Sequence, residues 1–194
     1  MTIDYYDTHA AAFFAETRDV DMEPLYARFL AHVQPGGRLL DAGCGSGRDT
    51  RAFLERGYAV TAFDASPTLA TLASAHCGIE VETRRFQEVE WLDTFDGIWA
   101  CASLLHVPLS ELPEAVRRLA RALKPTGVLY ASFKYGSGER EHHGRRFTDL
   151  DEDRLTALVS GIEGLEIQEI WTTADRRPGR ESERWLNALL QYLE

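Results

Sequence analysis

Asp41, Gly43, Gly45 and Gly47 occupy alternate positions directly after the apolar pair Leu39-Leu40, and a helix-like run opens at Arg48. Glycines at this spacing let the backbone turn tightly and bring amide N–H groups close to a ligand. A carboxylate closing a buried strand just ahead of them describes a nucleotide-like cofactor site at the first strand-to-helix turn of an α/β sheet. Asp64 closes a second short apolar run, Tyr58 to Phe63. An acid at that place, about twenty residues past a glycine loop, is positioned to accept both hydroxyls of a ribose. Ser66, followed by Pro67, is the better cap for the next helix, which leaves Asp64 free of that task. His106 is the strongest catalytic candidate, because an imidazole titrates near the working range and could accept a proton. Its alternative reading is a histidine that packs beside the cofactor and bonds to backbone. His142 and His143 lie near Glu139 and Glu141, but adjacent histidines on a flexible loop rarely converge on one ion, so they are expected in solvent and no metal site is expected.

The elements that position these residues follow from periodicity and from Gly and Pro punctuation. Residues from Asp4 to Glu16 read as a helix with Tyr5, Tyr6, His9, Ala12, Phe13 and Phe14 on a mostly apolar face. Met22 to Val33 reads as a second amphipathic helix, ended by Pro35-Gly36-Gly37. Strands are expected over Arg38 to Ala42, Tyr58 to Phe63, Ile79 to Arg84, Thr94 to Cys101, Val128 to Phe133 and Leu165 to Thr172. Helices are expected from Arg48 to Arg56, from Pro67 to a stop at His76-Cys77-Gly78, from Ser110 to Lys124 and from Asp149 to Ser160, where Asp149 and Asp151 read as helix-start acids. Arg117, Arg118 and Arg121 form a wet helix face rather than a phosphate site. Lys134 to Thr148 is polar and contains Gly136, Gly138 and Gly144, and reads as the longest loop. Mobile loops over a sheet edge tend to carry specificity, so Tyr135 and Arg145 or Arg146 are candidates to line an acceptor pocket. Arg184 to Gln191 is ambiguous by period.

The chain has 194 residues, 44% of them hydrophobic and 27% charged, as expected of one globular domain. A formal net charge of −10 opposes non-specific binding to nucleic-acid phosphates, and no basic block offsets it. No apolar run approaches the ~20 residues of a membrane span. The opening residues lack a basic region and an apolar stretch, so no signal peptide is expected. Cys44, Cys77 and Cys101 show neither metal spacing nor a paired framework, which points to a reducing cytoplasm.

Two readings compete for the glycine loop. A dinucleotide fingerprint that starts on Gly43 and Gly45 puts Arg48 at its third glycine, where close helix-to-sheet packing wants Gly or Ala, and the fit fails. The stretch instead resembles motif I of class I S-adenosylmethionine-dependent methyltransferases, D-x-G-x-G-x-G, with Asp41, Gly43, Gly45 and Gly47 in place. Further likenesses are Leu105-His106 after the fourth strand and the Leu-Lys-Pro-x-Gly-x-Leu phrase at Leu123 to Leu129. The chain is similar to small bacterial members such as the tellurite and thiopurine resistance methyltransferases. The resemblance implies a Rossmann-like α/β fold: a seven-stranded, mostly parallel sheet, helices on both faces, and Arg184 to Gln191 as the antiparallel seventh strand. It implies one domain over residues 1–194, with lid helices over about 1–33.

S-adenosylmethionine is then the expected cofactor, with S-adenosylhomocysteine as product. The resemblance implies contacts from Gly43, Cys44 and Gly45 of the loop with Asp41 beside them, from Asp64 and Ala65 after the second strand, and from Ala102 after the fourth. Tyr6 is expected to close over the cofactor, with Tyr5 the weaker candidate. Arg48 or Arg18 is expected to pair with the cofactor's carboxylate. The acid that many members use against the adenine is absent, since Arg85 or Phe86 stands there. Phe86 is expected as a ring contact with Gln87 helping. In-line transfer from an activated donor asks the protein mainly to align the partners and exclude water, and a base is needed only for a hydroxyl or protonated amine. The expected acceptor is a small molecule. A tRNA or protein acceptor, and a module that binds the cofactor without turnover, are the alternatives. Monomer and homodimer both remain open.

Overall fold

The computed structural model describes residues 2–193. Seven strands form one sheet: β1 (Arg38–Ala42), β2 (Ala59–Asp64), β3 (Glu82–Thr83), β4 (Phe95–Ala100), β5 (Leu123–Lys134), and, after a separate two-stranded hairpin of β6 (Gly138–His142) and β7 (Arg145–Asp149), β8 (Leu165–Ala174) and β9 (Arg184–Tyr192). Their order across the sheet is β3-β2-β1-β4-β5-β9-β8. β1 to β5 run parallel, and β9 is antiparallel to both of its neighbours. This is the expected sheet, including the antiparallel strand that periodicity alone left ambiguous.

Among the described residues six α-helices accompany it: α1 (Thr2–Thr17), α2 (Glu23–Leu30), α3 (Arg48–Glu55), α4 (Pro67–Cys77), α5 (Leu112–Ala122) and α6 (Glu152–Ser160). The order reverses where β1 lies between β2 and β4, the point at which a doubly wound sheet opens a crevice at its carboxyl edge.

The central strands are covered on both faces and therefore read as continuous apolar runs. Side chains alternate between faces. Leu39, Trp99, Val128 and Tyr130 pack with Phe53 of α3 and with Leu25, Tyr26 and Phe29 of α2. Leu40, Ile98 and Leu129 pack on the opposite face with Leu112, Val116 and Leu119 of α5 and with Leu155 and Val159 of α6. α2 is thus part of the core, with Phe29 fully buried, while α1 alone of the first two helices lies over the sheet's carboxyl edge.

Local chemistry accounts for the helix ends that matter to the site. Ser66 accepts from the Leu69 amide, Pro67 opens α4, and Gly78 closes it in a left-handed conformation (φ +75°). Asp151 caps α6 by accepting from the Arg154 amide. Asp149 is not a helix-start acid: it belongs to β7 and pairs with Arg140 at 2.5 Å. Two further expectations are corrected. Only Glu82–Thr83 of the expected third strand pairs. The expected loop over Lys134 to Thr148 contains the β6–β7 hairpin, whose first strand is polar and largely exposed and so carries no apolar alternation.

Gly97 marks the tightest contact between α2 and the sheet. A Cβ there would lie 2.8 Å from Phe29 Cζ and 2.9 Å from both Leu39 Cδ2 and Val33 Cγ2. Gly97→Ala is expected to cost about 1–3 kcal/mol, the usual range for overfilling a packed core. Urea unfolding followed by tryptophan fluorescence would measure it, and an unchanged midpoint would contradict this account of the α2 contact.

Candidate active site

The glycine loop is built by backbone constraint. Gly43, Gly45 and Gly47 all have positive φ, where residues with a Cβ are strained. Space excludes a side chain as well, since a Cβ on Gly43 would stand 2.5 Å from Ser103 Cβ. The Gly43 and Cys44 amides both donate to the Phe63 carbonyl at 2.9 Å, which ties the loop to β2. The Gly45 amide donates to Asp64 Oδ2 at 2.9 Å. A Cβ on Gly47 would meet Ala73 Cβ at 3.1 Å, so this glycine serves the packing of α3 on α4.

Beneath the loop lies a buried polar cluster. Asp49, in the first turn of α3, accepts from Tyr26 Oη, from Trp99 Nε1 at 2.8 Å, and from Arg48 in a fork of 2.7 and 2.9 Å. Burial works against its charge, but the Arg48 guanidinium and these donors hold the Asp49 carboxyl below its ordinary range. Asp41 is 1% exposed and accepts from Thr50 Oγ1 at 2.6 Å. Burial and the Asp49 charge push its carboxyl up.

Two cavities, of about 740 and 540 Å³, meet over the carboxyl edge of the sheet. They share Tyr6, Phe13, Gly43, Gly45, Ala102 and His106, which form a waist between them. The smaller is lined by Asp64, Ala65, Phe86 and Gln87. The larger runs past Cys44 and Arg48 to Tyr130, Tyr135, the β6–β7 hairpin and the turn before β9. α1 crosses above the waist. Its Asp7 accepts from Ser66 Oγ at 2.5 Å and from the Thr68 amide at 3.2 Å, and its Thr2 Oγ1 accepts from the Arg146 amide at 2.9 Å.

Tyr6 and His106 meet at the waist. His106 Nδ1 lies 2.7 Å from the Arg146 carbonyl, which only accepts, so Nδ1 carries the proton. Nε2, 2.8 Å from Tyr6 Oη, then accepts the phenol's hydrogen. Burial and the Arg145 charge lower the His106 pKa to about 4, against the Arg146 bond that raises it. The imidazole is therefore neutral near pH 7. Burial raises the Tyr6 phenol above its ordinary value.

Most expected site residues come together here: Tyr6, Gly43, Cys44, Gly45, Arg48, Asp64, Ala65, Phe86, Gln87, Ala102 and His106 all line one cavity or both. Two expectations need correction. Arg18 is exposed and lines neither cavity. The end of α1 turns it outward, where it pairs with Asp19 at 3.1 Å and lies over Phe14. Asp41 also lines neither cavity, because its carboxyl is turned under the loop to Thr50. Ser66 caps α4 as expected, and Asp64 Oδ1 accepts the Ser66 amide at 2.9 Å. Arg48 reaches the larger cavity with its fork already on Asp49. Gln87 donates to Glu111 at 2.6 Å, which brings a carboxylate to the smaller cavity from outside the expected turn. The sequence reading assigned no role to Asp49, Ser103, Phe13 or Glu111. The first-turn acid next to Arg48 was a visible signal for Asp49, whereas Ser103 and Glu111 are brought in only by the tertiary fold.

Residues 39–127 match the family model described as "Methyltransferase domain". The chain has the fold of class I methyltransferases. A methyltransferase of Burkholderia thailandensis, 1,6-didemethyltoxoflavin-N1-methyltransferase with bound 1,6-didemethyltoxoflavin and S-adenosylhomocysteine, superposes with a TM-score of 0.78 at 24% identity, over 99% of this chain and 85% of that one. The [4+2]-cyclase SpnF superposes at 0.74 with 17% identity, covering 98% of this chain and 94% of its own. The methyltransferase fold therefore does not fix the reaction. Among sequences, the ubiquinone biosynthesis O-methyltransferase of Xanthomonas campestris pv. campestris (strain B100) is 37% identical over 106 residues, which are 50% of this chain and 43% of that protein. The match thus spans less than half the length of this curated relative.

The state of His106 sets an acid sensitivity. Unfolded, its imidazole takes a proton near pH 6.5, whereas folded it does so near 4. Between those values the unfolded chain binds more protons, so stability falls as pH drops through that window. His106→Asn is expected to remove this component, by up to about 1.4 kcal/mol per pH unit. Denaturation midpoints of both proteins at pH 7, 5.5 and 4.5 measure it, and parallel pH dependences would contradict the buried neutral imidazole.

Proposed function

We propose that the chain transfers a methyl group from S-adenosylmethionine to a small-molecule acceptor. The observation that carries this reading is the pair of cavities joined at a waist. The smaller suits a nucleoside and the larger suits an acceptor, so that two ligands would meet between Tyr6 and Ala102. The family match over residues 39–127 supports the same reading. The bound sulfonium would supply an already activated methyl group.

The residues fit such a ligand. Asp64 keeps capacity for it: a carboxylate offers about four lone-pair sites, and the two backbone donors from Gly45 and Ser66 fill two of them. The capacity left beside these bonds and the Ala65 amide, which also favours the carboxylate, can take a ribose hydroxyl. Burial raises the Asp64 carboxyl against backbone hydrogen bonds from Ser66, Gly45 and Ala65, so a ligand hydroxyl would further favour its charged form. Phe86, edge-on to Phe63 at 5.4 Å between centroids, offers an aromatic wall for the base. Gly43 and Gly45 leave backbone open where the ligand would pass. Asp41 and Arg18 have no direct part in this reading, and Arg48 acts on the cavity while held by Asp49.

Tyr6 and Phe13 of α1 would shield the waist from water, which is the work a lid does in such a reaction. His106 is a positioning residue for Tyr6: its Nε2 lone pair is already engaged, and its low proton affinity makes it a weak base. An acceptor that needs no base suits this arrangement. The three free thiols, Cys44, Cys77 and Cys101, suit a reducing cytoplasm. No helix among the described residues is long and apolar enough to cross a membrane.

Calorimetric titration of the purified protein with S-adenosylmethionine and, separately, with NAD tests the cofactor. Micromolar binding of S-adenosylmethionine alone is expected, weakened at least tenfold in Asp64→Ala, with circular dichroism reporting whether the variant folds. Failure of the folded wild-type protein to bind S-adenosylmethionine would sink the proposal. A methyl-transfer assay over an acceptor panel then separates turnover from binding alone.

A further inference from the structure

The larger cavity is basic in an acidic protein. Eight Arg and Lys side chains line it against four carboxylates, in a chain of formal net charge −10. Most of these cations already have partners: Arg48 pairs with Asp49, Arg140 with Asp149, Arg177 with Asp175, Lys134 with Asp175 and Glu183, and Arg176 with Asp21. The cavity's own carboxylates are thereby committed.

Arg180 faces Glu183 at 3.9 Å and Arg184 lies over the Tyr135 ring at 4.1 Å, whereas Arg145, which hydrogen-bonds the Tyr6 hydroxyl, differs from both in its buried Nε. Arg145 opens β7 and lines the larger cavity. Its guanidinium lies 4.5 Å from the Tyr5 ring centroid and 5.3 Å from that of Phe147, and no carboxylate among the described residues pairs with it. Its Nε is buried without a hydrogen-bond partner. A buried donor left without an acceptor is costly, the more so when charged, so a site that tolerates one is suited to receive an acceptor atom there. The place is also next to the waist: Phe147 packs against His106 at 5.0 Å between centroids, and the next residue, Arg146, supplies the carbonyl that holds His106.

Resting on the methyl-transfer reading above, we infer that the acceptor carries an anionic oxygen group, a carboxylate or a phosphate, which Arg145 binds through its unpartnered Nε. A guanidinium held between two rings keeps a fixed donor direction, and such forks recognise planar carboxylates and phosphates better than an ammonium does. The Arg145 charge also lowers the His106 pKa, so an anion at this place would ease that effect and draw the waist and the acceptor into one electrostatic unit.

The test begins with calorimetric titration by S-adenosylhomocysteine, which judges the methyl-transfer reading by itself. The protein, saturated with that product if it binds and alone if it does not, is then titrated with benzoate, with phenyl phosphate and with neutral benzamide. At least one anion is expected to bind ten times more tightly than benzamide, and whichever anion wins identifies the group. In Arg145→Gln the preference is expected to fall below threefold while S-adenosylhomocysteine affinity stays within threefold, and Arg145→Lys is expected to recover part of the preference. The wild-type comparison stands even if the glutamine variant fails to fold. Equal behaviour of anions and benzamide, whether all bind or none does, overturns the inference, as does full preference in a folded Arg145→Gln. A short RNA oligonucleotide held more tightly than either small anion would overturn it in favour of a nucleic-acid acceptor.

Discussion

The buried carboxylate of Asp49 is the interaction on which the site depends. It collects Tyr26 from α2, Trp99 from β4 and Arg48 beside it, so one charge ties a helix of one face, the central sheet and the start of α3 together. A charge so deep is tolerated because its donors and the positive end of α3 compensate its lost hydration. Removing one partner from such a set leaves an uncompensated buried charge, a cost of about 3–5 kcal/mol in comparable pairs. The glycine loop rests on this cluster, and its amides point at β2 and Asp64 because α3 starts where Asp49 anchors it. Asp41, one strand-end away, lies close enough to feel the same charge and is pushed toward its neutral form. The first acid of the glycine motif is therefore structural support here, and the acid two residues past the motif is the anchor.

How much of this was legible in the sequence depended on where the signal lay. β1 is bounded as read, because an apolar run stopped by Gly43 admits few alternatives. α4 starts at Pro67 as read, because Ser66-Pro67 states both the cap and the first helical residue. β3 shrank to two residues because edge strands need little pairing and its flanks turn away into the short helix at Phe86–Glu88. The β6–β7 hairpin was invisible because Glu139, Arg140, Glu141 and His142 are exposed, and a strand with no buried face has no period-two pattern to find. α2 could be recognised as amphipathic, but nothing local says which surface it covers. Gly97, a missing side chain three strands of sequence away, makes room for it.

The site followed the same division. Residues fixed by backbone geometry, Gly43, Gly45 and Asp64, were found because glycine spacing and strand ends are one-dimensional signals. Arg18 was misplaced because a charge near the end of a helix says nothing about which side it leaves on, and Asp19 next to it captures the guanidinium. Ser103 and Glu111 were missed for the complementary reason: each acts on a residue far along the chain, Ser103 on Ala42 and Glu111 on Gln87.

The waist joins these levels. Arg146 gives its carbonyl to His106 Nδ1, and that single acceptor decides the tautomer. The tautomer decides that Nε2 receives the Tyr6 hydrogen, and Tyr6 thereby fixes α1 over the two cavities. A protonated His106 would have two donors and no acceptor, so it would lose the Tyr6 bond in that direction and face the Arg145 charge at close quarters. Burial opposes that state for the same reason. The imidazole is thus a neutral post between α1 and a hairpin, and the hairpin that supplies its carbonyl also carries Arg145. Tyr6 of α1 and Arg146 of the hairpin therefore act on the same histidine, which joins the helix above the waist to the strand that carries Arg145 through two hydrogen bonds.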